Sequence, residues 1–116
     1  MSLEDKAKEL GQEIRETEEY QELERAGDNL KSDPTAQELI QAVQEAQKTL
    51  EFSQQSGVQP GEEQVTNFNN LREQMHSNLT VRSFMKAQED FNNVMKTVND
   101  AISYGITGEK NVEGEE

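Results

Sequence analysis

With 116 residues, 31% of them apolar and no tryptophan, the chain has room for one domain and can bury only a thin core, which points toward self-association. Its 24 acidic against 11 basic side chains give a formal charge of -13, with the basic residues scattered among carboxylates, so direct nucleic-acid binding is disfavoured. The absence of cysteine excludes a disulfide framework, a thiolate nucleophile and cysteine-held zinc or iron–sulfur sites.

Period-two alternation is almost missing, whereas apolar residues recur at spacings of three and four, so the chain reads as all-α. Leu3, Ala7, Leu10 and Ile14 draw one narrow stripe along an otherwise charged first helix. The phase slips near Glu16 to Glu19, where a kink or short break is predicted, and the stripe resumes at Tyr20, Leu23, Gly27 and Leu30. At Asp33-Pro34 the signals for a helix start converge: the carboxylate accepts from exposed N–H groups, and proline fits the first helical position. That third helix carries Ala36, Leu39, Ile40, Val43, Ala46 and Leu50, and it ends before the Gly57, Pro60 and Gly61 cluster. A fourth helix is expected from about Glu62 to Ser77, with Val65, Phe68, Leu71 and Met75 inward.

Asn78 is placed to close the fourth helix in a left-handed conformation and Thr80 to cap the fifth. The fifth has the strongest stripe, Phe84, Ala87, Phe91, Val94, Val98 and Ala101, as suits the centre of a bundle or a dimer seam. From Gly105 the period is lost. The expected architecture is an antiparallel multi-helix bundle of about five helical segments, dimeric, with residues 1–104 as a single helical domain and 105–116 as a flexible acidic tail.

Motifs that suggest chemistry are few. Glu73 and His76 have the E-x-x-H spacing of helical di-metal carboxylate sites, but such a site needs two of these elements plus further glutamates, and the chain has one histidine. Met75 is the inward residue of that turn, which leaves His76 at a boundary or in solvent. Asn78-Leu79-Thr80 spells a glycosylation acceptor that matters only in a secreted protein. No signal-peptide core or bilayer-length apolar run is present, so the expectation is a cytoplasmic protein without membrane insertion. There is no catalytic triad pattern, P-loop or dinucleotide fingerprint, and no catalytic residue, metal ligand or cofactor is assigned. Met75, Met85 and Met95 suit core filling better than a pliable groove.

Three segments together carry a family resemblance: "AKELGQEIRETEEYQELERAGDNLKSDPTAQELIQAVQEAQKTLE", the turn "QQSGVQPGEEQV", and "LREQMHSNLTVRSFMKAQEDFNNVMKTVNDAIS". In helix order, Tyr20, the Asp33-Pro34 cap, Asn78 and the Phe84 to Ala87 pair, the chain resembles the YlbF/YmcA/YheA family of small helical proteins over about Ala7 to Ser103. The resemblance implies an all-α fold, commonly dimeric, without catalytic residues. It also implies a regulatory role, since some relatives act in a complex that influences competence, sporulation and biofilm formation and modulates a membrane-associated ribonuclease. The iron–sulfur clusters of the best-studied complex are held by cysteines; this chain has none and is similar to the cluster-free branch.

The functional expectation is a non-enzymatic helical module for protein–protein interaction, a regulatory adaptor acting as a homodimer and on other proteins. Its contact surface is expected at the seam of the third and fifth helices, through Leu39, Val43, Phe84 and Phe91. The alternatives are a chaperone-like coiled-coil holdase and an intersubunit di-metal carboxylate protein.

Overall fold

Five α-helices and no strand make up the described residues, 1–108, of the structure, a computed structural model. They are α1 (Leu3–Arg15), α2 (Glu18–Lys31), α3 (Pro34–Gln55), α4 (Glu62–Ser77) and α5 (Leu79–Thr107). The all-α expectation and the order of its segments hold. Helix α5 continues through Gly105 to Thr107, and most of the acidic tail expected from residue 105 lies outside the described residues.

Each junction is built by a side chain that satisfies backbone groups the helices leave open. The predicted break after α1 centres on Thr17, whose hydroxyl donates to the Ile14 carbonyl at 2.7 Å and accepts from the Tyr20 N–H at 3.2 Å. One side chain thus closes α1 and opens α2. At the next junction Asp33 accepts from the Ala36 N–H at 3.1 Å, with Pro34 beginning α3. Gly57, at φ 78, takes the left-handed conformation just past α3 that a side chain would resist. The Gly61 N–H donates to the Gln64 side chain at 3.1 Å as α4 begins.

The α4–α5 corner corrects one expectation. Asn78 is extended, at φ -74 and ψ 127, and its side chain accepts from the Val81 N–H at 3.0 Å, so it caps the start of α5 and does not close α4 in a left-handed turn. The cause is spacing: a single residue separates the helices, and the free N–H groups of α5 are what a carboxamide oxygen can reach. Thr80 is thereby released from capping. Its hydroxyl donates to the second oxygen of Asp33 at 2.6 Å, joining the first turns of α3 and α5.

The helices fall into two compact units, to both of which α2 and α5 contribute residues. One comprises Met1–Glu24 and the chain from Lys86 onward; there Tyr20 and Phe91 meet edge-on with ring centroids 5.6 Å apart. The other, Arg25–Met85, contains the α3–α4 hairpin, whose helices pack along each other after the chain reverses at residues 56–61. Its covered residues are Ala26, Ala36, Val43 and Val81, and Ala87 is covered in the first unit.

Asp33 links acidity to stability. The Thr80 hydroxyl bond, followed by the Ala36 N–H, holds its carboxyl below the ordinary value of 3.8. A group whose pKa is depressed by folding stabilises the fold above its unfolded value, and that contribution fades as pH falls through the folded one. Asp33→Ala is therefore expected to lower the urea midpoint at about pH 7, with the deficit relative to the parent shrinking by about pH 3. A deficit that is equal at both pH values would remove the assigned role of the ionised carboxylate.

Candidate protein-interaction surface

The four seam residues divide between the units. Leu39, Val43 and Phe84 belong to the second, and Phe91 to the first. Val43 is 7% exposed and is enclosed by its own chain, while Leu39 and Phe84 remain half-buried. The Phe84 ring lies over Gly27, its Cε1 3.8 Å from where a Cβ on that glycine would stand. Phe91 is half-buried and packs on Tyr20.

Larger apolar side chains are less covered than this seam. In the second unit Phe52, Val58, Val65, Leu79 and Met85 are exposed, whereas Met75 is half-buried. Among the described residues of the first unit the exposed set is Met1, Leu3, Leu10, Ile102, Tyr104 and Ile106, and Met95 is half-buried. Helix α1 buries no residue at all, although its stripe is regular. Sequence reading noted that stripe without marking it as uncovered. The available signal was its narrowness, because a helix resting on a core normally shows a wider apolar face.

Glu73 and His76 are both exposed. Glu73 lines, with Asn70, Gln74 and Ser77, an open depression of about 350 Å³, and a second of about 340 Å³ lies along Glu62, Glu63, Thr66, Asn67 and Asn70. Both are walled by α4 alone. Ligand sites of similar volume enclose most of their ligand between several elements, which a single helix face does not do. Among the described residues no three His, Asp or Glu side chains come together as a metal-binding group. No helix of the described residues is long and apolar enough to cross a membrane.

The family model described as "Control of competence regulator ComK, YlbF/YmcA" matches residues 3–107. The chain belongs to this family. It is 29% identical over 102 residues to a UPF0342 protein of Limosilactobacillus reuteri, covering 88% of this chain and 83% of that protein. It is similarly 30% identical over 103 residues to a UPF0342 protein of Lactobacillus delbrueckii subsp. bulgaricus, covering 85% and 88%. A UPF0342 protein of Lactiplantibacillus plantarum is 29% identical over 99 residues, covering 85% and 87%. No solved structure matches the chain. The family match places the chain among regulatory YlbF-type proteins and spans every helix described above.

Gly27 tests the packing around Phe84. It lies within α2, its φ is not positive, and the space above it accepts a methyl group in ordinary van der Waals contact. Gly27→Ala is expected to raise stability by about 0.5–1 kcal/mol through reduced backbone entropy in the unfolded chain, with added contact to the ring. Urea denaturation measures this; a loss of stability would mean that the Phe84 ring sits closer to α2 than described.

Proposed function

We propose that this YlbF-type protein is a non-enzymatic, cytoplasmic regulatory adaptor that works by helix-surface contact, self-associating and binding other proteins. The observation that carries the reading is the inversion of side-chain size with burial. The covered residues are alanines and valines, while Leu3, Phe52, Leu79 and Ile106 stand 71–86% exposed. A monomer in water has little use for such a distribution, and partner helices would cover it. The family's description as a control of a competence regulator agrees with action on other proteins.

The proposed partner seam in the second unit centres on Leu39 and Phe84, which keep reachable surface, whereas Val43 is buried. Phe91 is proposed to act within the first unit, where Tyr20 orients its ring. A charge of -13 favours partners with basic or apolar surfaces over nucleic acid.

Sedimentation equilibrium over a wide concentration range tests the self-association. The expected result is a concentration-dependent species of roughly twice the 13.2 kDa chain mass. A single species of one chain mass throughout would end that part of the proposal. Affinity capture from the native host tests the remainder: partners are expected to be retained by the parent protein and lost on Leu39→Asp. Retention of the same partners by that variant would move the binding surface elsewhere.

A further inference from the structure

Helix α1 is complete, yet its stripe is covered only toward its end: Leu3 and Ala7 are exposed, Leu10 is 36% exposed and Ile14 is half-buried. Ser2 and Asp5 cap its start reciprocally, the Asp5 N–H donating to the Ser2 hydroxyl at 3.0 Å. It is 13 residues long with no buried residue, and Leu3 is 86% exposed. Helices of this length are marginal in water without a packed face. The spacing Leu3, Ala7, Leu10, Ile14 is that of the narrow seam between paired helices.

Charge decides what covers the stripe. With Leu3 and Leu10 as d positions and Ala7 and Ile14 as a positions, Lys6 and Glu13 fall at g, and Glu4 and Gly11 at e. In an antiparallel pair of identical helices, g faces g across the seam. Lys6 of one copy then meets Glu13 of the other, and the two-fold axis repeats the contact. A parallel pair would set Lys6 against Gly11 and gain nothing there. Among the described residues neither Lys6 nor Glu13 has an ionic partner.

The helix is also nearly neutral within a strongly acidic chain. Glu4, Asp5, Glu9 and Glu13 against Lys6, Lys8 and Arg15 leave it a net -1 of the total -13, so like-charge repulsion between copies is low along this face. Open space around Gly11 and the small side chain of Ala7 allow close approach. A helix about 20 Å long makes a small interface compared with the about 800 Å² per partner of stable complexes. The association it supports is accordingly reversible and concentration-dependent, and exposed Ile102 and Ile106 in the same unit offer further apolar surface.

We propose that α1 is the self-association surface: two copies pair antiparallel through Leu3, Ala7, Leu10 and Ile14, with Lys6 of each copy against Glu13 of the other. This rests on the self-association proposed above. Sedimentation equilibrium of the full chain is run on the parent, Lys6→Glu, Glu13→Lys, the double exchange, and an equimolar mixture of the two single variants. Each single variant places like charges opposite each other twice and is expected to weaken dimerisation about tenfold. The double exchange restores opposite charges and is expected to return to within about threefold of the parent. The mixture is expected to form heterodimers in preference to either homodimer, a result that loss of folding cannot imitate. A parent that is monomeric throughout overturns the self-association itself. A dimeric parent with unaffected single variants, or a double exchange without recovery, overturns only the α1 pairing.

Discussion

The shortage of large side chains in covered positions is the constraint from which the rest of the structure follows. Among the described residues no large side chain is fully buried, and the covered set is Ala26, Ala36, Val43, Val81 and Ala87. Apolar burial contributes about 25 cal/mol per Å² removed from water, so alanines and half-covered leucines and phenylalanines stabilise the fold only modestly. More of the fold must then rest on local terms. The long helices α3 and α5, 22 and 29 residues, suit that requirement, since each added residue makes its hydrogen bond with a near neighbour. The exposed Lys86–Asp90 and Lys96–Asp100 pairs on α5 add little, as solvated ion pairs one turn apart do.

Local terms are concentrated at the junctions. Connections of one or two residues leave little room for turn residues, so single side chains take on the open backbone groups of both helices. Thr17 does this for α1 and α2 by donating backward and accepting forward. Asp33 goes further, because one of its oxygens caps α3 while the other accepts from Thr80, a residue 47 positions away. A carboxylate beside two helix starts is also where the helix dipoles favour negative charge. The second unit is therefore held at this corner by a polar contact as well as by packing.

Helix breaks were legible wherever their cause was local. The phase slip near Glu16, the Asp33-Pro34 pair and the Gly57 to Gly61 cluster each act on their own backbone, and the structure breaks at all three. Asn78 was recognised as a corner residue but assigned to the wrong helix end, because composition shows a capping group without showing which neighbour it will reach. Thr80 was beyond sequence reading in a different sense, since its partner is set by tertiary placement. Gly105 did not end α5: a glycine inside a helix costs only about 1 kcal/mol, which its neighbours can offset. For the interaction surface, periodicity identified apolar stripes and could not say which the chain covers itself. Val43 and Leu3 have similar positions in their patterns, yet one is enclosed and the other stands in solvent.

Membership in the YlbF/YmcA family bears on the fold more directly than on partner choice. At 29–30% identity over more than four-fifths of the chain, about seven residues in ten differ from those relatives, while the family match runs across all five helices. Patterning tolerates such change because a helix needs only apolar residues on one face, whereas recognition depends on which charges flank that face. A core of alanines and valines leaves few residues that specify the interior and many that specify the surface. The exposed apolar and charged side chains of this chain are therefore where any choice among partners would have to be written.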